Sequence, residues 1–442
     1  AALSQGEAFD ATPKNIDART SVVTLAGGMK LALLPKKTRG ETVRANLVLR
    51  FGDEKTLTGQ RVAGQFAARM LLRGTKNKTR QQIKDRLDEL KAAVLIDGFS
   101  QGVEVDIEVR RPNLAALLDL IAEVLREPAF DAKEFEELRR ETLASIEQNK
   151  DNPMQVGYNG LVRLFNPRPA DHPAYMPDFA EQIAETQKAT LEAAREFHRR
   201  FYGAQDGLLA MVGDFDPAAI QAQLEKLLGD FAGKERYTRI PNPFQPVEGQ
   251  KQVIRIPDKP MAFMGAGVVF PMRDDQPDYP ALVMADYLLG GGFLNGRIPK
   301  RLREKDGFSY GAGTFLRVSP FEPNATLMGY AIYGAANADP VENGFREELA
   351  RAVRDGFTPD ELKLAKEGLL KERQQERAQD DWLSRRLRNN LETGRTMAFD
   401  AAVDERLQQL TPAEVADALR KRVIPEKLSV VRAGDFPAPA KP

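Results

Sequence analysis

The chain contains an internal repeat. The stretch LLAMVGDFDP at residues 208–217 returns as LSVVRAGDFP at residues 428–437, and in both copies an apolar run ends in Gly-Asp-Phe. A second pair, AFDAKEFEELRRETLASIEQ at 129–148 and GFTPDELKLAKEGLLKERQQ at 356–375, precedes the first pair in the same order. The copies lie 221 residues apart in the first pair and 227 in the second. Matches in one order at nearly one spacing predict two homologous domains.

The segment between the two copies reads as a linker. GKERYTRIPNPFQPVEGQKQ, at residues 233–252, contains three prolines and shows neither helical nor strand periodicity. We therefore predict an N-terminal domain over 1–232, a linker over 233–252 and a C-terminal domain over 253–442.

Each half combines strand patterns with long helical patterns. In the first half, residues 21–35 predict a β-hairpin with Gly27 and Gly28 at the turn, and 45–52 and 103–110 predict further strands. Four helices are predicted there, over 60–73, 79–91, 113–127 and 131–149. Strand pairs beside separate helices indicate an α+β fold, with a mostly antiparallel sheet packed against helices in each domain.

Several helix starts have sequence signals of their own. The pairs Asp131/Glu134 and Thr358/Glu361 have the spacing of a capping box. A helix opened by Thr186 is predicted before the first Gly-Asp-Phe.

Composition excludes several classes of function. Lys and Arg together number 64, as do Asp and Glu, so nothing favours a nucleic-acid partner. No apolar run approaches the roughly 18 residues of a membrane span, and the lack of cysteine excludes disulfides and thiolate metal sites. The methionine-free start AALSQGEAF fits cleavage of a signal peptide and, equally, an arbitrary boundary of the given chain.

Histidine is scarce. The sequence has only His172, in a Pro-flanked loop, and His198, on a predicted helix. Catalytic zinc sites mostly need two or three histidines with a carboxylate, and these two are not one helical turn apart. One loop histidine and one surface or capping histidine is the favoured interpretation.

The stretch QFAAR at residues 65–69 has the spacing of a metal site without its chemistry. Positions 65 and 69 are one helical turn apart, so they share a face, as two metal ligands would. A guanidinium cannot offer a lone pair to Zn²⁺, however, and alanine has no basic group.

Four motifs give the chain a family resemblance: the ML-x-R-G-T after QFAAR, Asp-Asn-Pro at 151–153, the repeated Gly-Asp-Phe, and GGGFLNGRIPKRLREKDGFSYGAG at 290–313. With these motifs the chain resembles the pitrilysin/insulinase zinc peptidases, which include the mitochondrial processing peptidase. The resemblance extends over roughly residues 20–437 and implies a two-domain α+β fold.

The resemblance also implies which residues are missing. Active members carry His-x-x-Glu-His where this chain has Gln65, Ala68 and Arg69. Their third ligand is a glutamate, and here Ser145 precedes Ile146 at that place. No zinc is therefore expected on this chain, and the resemblance leaves the metal to a partner subunit.

In the second half, a second functional pair of the family is present. The resemblance implies that Arg303 and Tyr310, in LREKDGFSY, reach across to the zinc site and contact the substrate near the scissile carbonyl. From spacing alone, an arginine in a last helical turn more often serves the helix dipole or an ion pair, and a strand tyrosine more often packs in the core.

The local pattern around this pair predicts a helix followed by a strand. RIPKRLREK should form a short helix with Ile298 and Leu302 facing inward, and Gly307 can end it. The strand that follows would place Phe308 and Tyr310 on one face.

The glycine run Gly290, Gly291 and Gly292 has two interpretations. By resemblance it is a loop that borders the substrate cavity, and by its residues alone it is a flexible turn between helices. It lacks the ending of a nucleotide-binding Walker motif.

The favoured hypothesis is the non-catalytic subunit of a bacterial heterodimeric zinc metallopeptidase, inactive alone. It expects no cofactor on this chain, zinc in a homologous partner subunit, peptide substrates and a periplasmic location, with the cytoplasm as the alternative. The rival hypotheses are a catalytically dead structural or binding homologue, and an independent enzyme with some other metal site.

Overall fold

The structure is a computed structural model that describes residues 5–292 and 295–436. The last residue of the second repeat, the tail to 442, the start of the chain and positions 293–294 of the glycine-rich motif lie outside the described residues.

Helices account for much of each half. The described α-helices are α1 (Pro13–Arg19), α2 (Glu54–Leu57), α3 (Arg61–Met70), α4 (Arg80–Glu89), α5 (Arg111–Arg126), α6 (Ala132–Asn149), α7 (Pro153–Phe165), α8 (Phe179–Lys188), α9 (Leu191–Phe201), α10 (Pro217–Leu228), α11 (Tyr279–Asp286), α12 (Arg297–Pro299), α13 (Ala338–Asp355), α14 (Pro359–Arg377), α15 (Asp380–Thr393), α16 (Ala398–Gln409) and α17 (Pro412–Arg422). Two wider π-helical turns, Tyr287–Gly291 and Lys300–Lys305, continue α11 and α12. No helix in the described ranges has the length and apolar content needed to cross a membrane.

The strands form two sheets. They are β1 (Ser21–Thr24), β2 (Lys30–Pro35), β3 (Thr42–Arg50), β4 (Ala93–Phe99), β5 (Gly102–Arg110), β6 (Leu208–Gly213), β7 (Lys251–Arg255), β8 (Met261–Phe270), β9 (Ser309–Val318), β10 (Ala325–Gly334) and β11 (Ser429–Gly434). The first sheet has the order β1-β2-β6-β3-β5-β4 and the second β7-β11-β8-β10-β9.

The two sheets share one topology. In each sheet, one strand leads into Gly-Asp-Phe. In the first sheet this strand is β6, which lies parallel to β2 and antiparallel to β3. In the second it is β11, which lies parallel to β7 and antiparallel to β8. The remaining strands follow as antiparallel neighbours, so β4 and β9 are equivalent edge strands. The predicted α+β fold with two homologous, mostly antiparallel sheets is confirmed.

Alternation along the strands places the core. In β5, Val103, Val105, Ile107 and Val109 are buried while the acidic residues between them face the other side of the sheet. The buried side packs against helices of the same half, including α3, α5, α6 and α9, in one apolar cluster. A comparable cluster lies between the second sheet and α11, α13 and α17.

Each half also supplies a helix to the far side of the other sheet. Helix α7 lies on β8 and β11, where a Cβ on Gly157 would come 2.5 Å from the Phe263 ring. Helix α15 lies on β2, β3 and β6, with Leu383 and Leu387 buried in an apolar cluster against them. Trp382 packs against the same cluster. The two halves are therefore joined by reciprocal packing.

The predicted linker is extended and anchored. The Gln101 side chain bonds to the backbone of Thr238 and Ile240, and Tyr237 lies under the Arg50 guanidinium, 4.4 Å from ring centroid to Cζ. Strand β7 starts at Lys251, so the last two residues of the predicted linker belong to the second sheet.

Most local predictions hold. The hairpin forms at β1–β2, with Gly28 at φ 107° in its turn, and the four predicted helices appear as α3 to α6. Thr358 and Glu361 form a full capping box.

Two helix-start predictions are wrong. Asp131 caps α6, but Glu134 turns away to pair with Arg73 and Arg80 instead of completing the box. Thr186 lies in the last turn of α8 rather than opening a helix. The helical conformation is interrupted after α8. Thr190 then caps α9, because its side chain accepts a hydrogen bond from the backbone N–H of the third residue of that helix.

Candidate functional site

The degenerate metal slot consists of Gln65, Ala68 and Arg69 on α3, and only the first and last of these residues are exposed. Helix α3 packs against α6 through Phe66 and Phe135, whose ring centroids are 5.2 Å apart. Gln65 and Arg69 share a face of the helix, as their spacing predicts, and this face is exposed to solvent. Arg69 donates from Nη1 to Thr142 Oγ1 on α6 at 3.2 Å, and Ser145 is exposed one turn further along α6.

Ala68, which by resemblance stands where active members carry the glutamate of His-x-x-Glu-His, is a packing residue. It is 3% exposed and lies directly under edge strand β4. A Cβ added to Gly98 of that strand would come 2.7 Å from the Ala68 Cβ. Strand and helix therefore meet at two small residues, with little room between them for a longer side chain.

This slot does not fit a catalytic zinc ion. It offers a neutral amide, a methyl group, a guanidinium and a hydroxyl, whereas Zn²⁺ takes imidazole, thiolate or carboxylate ligands. Elsewhere in the described chain, no group of three or more His, Asp or Glu side chains has a metal-holding arrangement.

The histidines have structural surroundings. His172 is buried in its loop, where Nδ1 accepts from the Ala174 backbone at 3.0 Å. On α9, His198 packs against the rings of Phe130 and Tyr202. Its Nε2 donates to the Leu125 carbonyl in the last turn of α5 at 2.7 Å, because a carbonyl can only accept. Burial lowers the pKa of His198 to about 4. The loop and capping interpretations are confirmed, and the surface one is wrong for His198.

The Arg303 segment is a helix of mixed type. Ile298 and Leu302 are fully buried, as predicted from their spacing, but the chain passes from α12 into a π-helical turn. Gly307, at φ 68°, follows the end of this turn. Arg303 is exposed, and no hydrogen bond or ion pair within residues 5–292 and 295–436 engages it. The ion-pair alternative thus has no partner in the described chain.

Tyr310 lies on a β-bulge. Ile332 of β10 pairs with Gly311 and Tyr333 pairs with Ser309, so Tyr310 is the extra residue of β9. It is 67% exposed, which makes the packed-core alternative wrong. The prediction that Phe308 shares its face is also wrong. Phe308 precedes the strand and packs against the second core, and the bulge breaks the alternation.

The glycine run continues α11 rather than forming a separate turn between helices. Gly290 is buried against β9, where an added Cβ would come 2.7 Å from the Thr314 nitrogen. Gly292 is buried, and its Cβ would come 2.9 Å from the Tyr287 carbonyl oxygen. Gly291 is exposed, although its Cβ would come 2.7 Å from Asp286 Oδ2. Close packing thus requires glycine at the first and last positions.

Asp286 is a feature that the sequence did not single out. Its carboxyl is largely buried beneath this glycine run, and Oδ1 has no hydrogen-bond partner in the described part of the chain. Burial raises the pKa of Asp286 to about 6. A lone aspartate at the end of an apolar helix has no sequence signal that would reveal this.

Two family models match the chain. Residues 32–165 match the model described as Insulinase (Peptidase family M16), and residues 188–369 match the one described as Peptidase M16 inactive domain. Together they cover more than half of the sequence. The chain belongs to the insulinase family of peptidases. The resemblance seen in the motifs is confirmed, and the match to the inactive-domain model is consistent with a non-catalytic member of the insulinase family.

Curated relatives within the insulinase family are distant. An uncharacterized zinc protease of Rickettsia bellii is 22% identical over 297 residues, which is 66% of this chain and 68% of that protein. The non-peptidase homolog YmxG of Helicobacter pylori is 20% identical over 382 residues, 85% of each chain.

Solved structures agree with the fold. A peptidase M16 inactive domain from Pseudomonas fluorescens has a TM-score of 0.82 at 20% identity, covering 96% of this chain and 99% of that one. The periplasmic protease PqqL from Escherichia coli has a TM-score of 0.74 at 14% identity, covering 98% of this chain and 46% of that chain.

Proposed function

We propose that this chain is the non-catalytic subunit of a heterodimeric zinc metallopeptidase. Its partner would be a homologous subunit with an intact His-x-x-Glu-His helix. The two would enclose a chamber that admits short or unfolded peptides. The supporting observation is the contrast between the degenerate slot at Gln65, Ala68 and Arg69 and the exposed pair Arg303 and Tyr310.

In this proposal Arg303 and Tyr310 act on the substrate from the side opposite the metal. Zinc held by the partner would supply an activated water. The Arg303 guanidinium and the Tyr310 hydroxyl are both hydrogen-bond donors. Both residues are exposed to solvent, and each lies on a short segment next to the buried second core. Donors aimed at a developing oxyanion are worth about 3 kcal/mol each.

The glycine run would contribute backbone rather than side chains. Because Gly290 and Gly292 are held by close packing, the exposed Gly291 is the member available to border a peptide. The proposed substrate-binding role of the run therefore depends on its exposed backbone and not on flexibility.

Reconstitution tests the proposal. The isolated chain should be inactive, and mixing it with a homologous subunit that carries an intact His-x-x-Glu-His helix should restore peptide hydrolysis. In that complex Tyr310→Phe should lower kcat about 100-fold or more with little change in KM, because the donor acts in the transition state. Arg303→Ala should behave similarly.

Matched controls separate this role from general damage. Tyr158→Phe removes the hydroxyl of another exposed tyrosine, and Lys305→Ala removes a cation two positions from Arg303 in the same turn. Both should leave turnover unchanged. Normal turnover by the Tyr310→Phe and Arg303→Ala complexes would remove their proposed role.

A structural or binding homologue without any peptidase role is the second candidate. The relative in Helicobacter pylori described as a non-peptidase homologue favours it. Size-exclusion chromatography distinguishes the two candidates. The structural or binding candidate would be favoured by a stable complex with the zinc-bearing subunit that hydrolyses no peptide, whether Arg303 and Tyr310 are intact or substituted.

We further propose a periplasmic location, by analogy with secreted bacterial members of the family. Osmotic-shock fractionation of the source cells would test it. Release of the chain with periplasmic markers is expected, and retention with a cytoplasmic enzyme would instead favour the cytoplasmic alternative.

A further inference from the structure

A small cavity lies beside the glycine run, between the Lys300–Lys305 turn and α14. Its volume is about 260 Å³, which suits one amino-acid side chain or a chain terminus rather than a whole ligand. Its lining combines apolar and polar groups, chiefly Leu288, Leu364 and Ala365 with Tyr287, Arg297 and Lys300. None of these residues belongs to the degenerate slot or to the Arg303/Tyr310 pair.

Arg297 provides one fixed charge in this lining. Its Nε and Nη2 donate to the two carboxylate oxygens of Glu361, each at 2.7 Å, and its Cζ lies 4.5 Å from the Phe357 ring centroid. The pairing lowers the pKa of Glu361 to about 2, so that the pair is neutral overall. The remaining nitrogen, Nη1, is buried without an acceptor in the described chain. An unpaired buried donor is unfavourable, and an added acceptor would relieve it.

Lys300 gives the cavity an excess positive charge. It is exposed at the rim, and no carboxylate of the described residues lies within ion-pair distance of it. Since Arg297 and Glu361 cancel, the lining carries one net positive charge. The complement of this lining is therefore a single negative charge.

The apolar part of the lining is partly open to solvent. Leu364 on α14 is 69% exposed, while Leu288 and Ala365 beside it are buried. One exposed leucine is ordinary on a protein surface. Here it forms the rim of a concave site whose other groups favour an anion, so the site suits a ligand that is both anionic and apolar.

We propose that this cavity binds a peptide carboxylate together with the apolar side chain next to it. The carboxylate would pair with Lys300 and the apolar side chain would cover Leu364. A C-terminal carboxylate and an acidic side chain share this chemistry. The choice of a peptide as ligand rests on the proposed function, but the site would act in binding and not in hydrolysis.

Direct binding to the isolated full chain tests the proposal. The probe is the pentapeptide Gly-Ala-Gly-Leu-Leu with fluorescein at its amino end, measured by anisotropy. The free acid should bind at least about tenfold more tightly than the same peptide with a carboxamide end, because the amide cannot pair with an ammonium. An amidated peptide ending in Leu-Glu, with the same label, separates the two carboxylate sources, because the only carboxylate in its peptide part is a side chain.

Substitutions at the rim assign the binding to this cavity. Lys300→Gln should weaken the free acid about tenfold and leave the carboxamide unchanged, and Leu364→Ser should weaken both peptides. Lys363→Gln makes the same charge change at an exposed lysine outside the lining and should have no effect. All three altered positions are exposed, so the fold should survive, which a thermal melt checks.

Equal affinity for acid and carboxamide, no measurable binding of any peptide, or an unchanged affinity in Lys300→Gln would overturn the proposal. The result is separate from that of reconstitution. Carboxylate-dependent binding by a chain that never supports hydrolysis would leave this site standing and remove only the proposed function.

Discussion

Edge strands β4 and β9 occupy equivalent places in the two sheets but have different surroundings. Strand β4 lies against the degenerate slot, with Gly98 on Ala68, so that small residues close the position of a catalytic base. Strand β9 begins with a bulge that turns Tyr310 outward next to the Arg303 turn. The same topology thus carries a filled site in one half and an open pair of donors in the other. Duplication conserves the frame and leaves the chemistry to a few side chains.

The halves are nevertheless one mechanical unit, and Leu383→Ala should show this with the largest effect. Leu383 is fully buried on α15, beneath the sheet of the first half. Its truncation should lower the free energy of unfolding by about 2–5 kcal/mol, from lost burial and the cavity left behind. Amide exchange in β2 and β6 should accelerate along with that of the second half.

The control is Leu364→Ala, which truncates an exposed leucine of the same half and should change stability by less than about 0.5 kcal/mol. If Leu383→Ala accelerated exchange only within the second half, the halves would be independent domains joined by a linker.

One buried group in each half makes stability depend on pH, and the two effects have opposite signs. The variant His198→Gln isolates the effect of His198, in the first half. Its native pKa, about 4, lies below the ordinary value near 6.5, so the unfolded chain binds the proton more strongly. Stability is lost as pH falls from about 6.5 to 4, by up to about 3 kcal/mol. Urea unfolding at pH 7 and pH 4 should show the variant losing less stability than the parent over this interval. An identical loss would mean that His198 titrates normally.

Asp286→Asn isolates the second, slightly smaller effect. Here the native pKa, about 6, lies above the ordinary value near 3.8, so the native state holds the proton more strongly. Stability is lost as pH rises from about 4 to 6, again by up to about 3 kcal/mol. The isosteric amide cannot ionise and should abolish this loss in urea unfolding. The double variant with His198→Gln should be the sum of the two, since the sites lie in different cores.

The sequence was sufficient for features that depend on local patterns. The repeat, the four helices α3 to α6, the hairpin at Gly28 and the absence of zinc-binding chemistry at Gln65 and Arg69 all follow from spacing and side-chain chemistry. These are properties of neighbouring residues, for which periodicity and capping are direct signals.

Features that depend on contacts between distant segments escaped prediction. An amphipathic pattern shows that α7 and α15 have buried faces, but not that each face belongs to the other half's sheet. The bulge at Tyr310 arises from the register of β9 with β10. Alternation alone therefore wrongly predicted that Phe308 and Tyr310 share a face. The raised pKa of Asp286 likewise requires burial by residues far along the chain.

Arg69→Ala should have the smallest effect on the free energy of unfolding. It tests whether the fold depends on the side chains at the exposed slot positions. The Arg69 guanidinium is exposed and makes one hydrogen bond, to Thr142, so its removal should cost less than about 1 kcal/mol. Phe66→Ala, at a buried position of the same helix, should cost about 3–5 kcal/mol because Phe66 is 2% exposed. If Arg69→Ala proved as damaging as Phe66→Ala, the arginine would be a structural replacement for the metal. A small effect would instead mean that α3 is held by its buried face alone, so that the exposed ligand positions were free to change without loss of the fold.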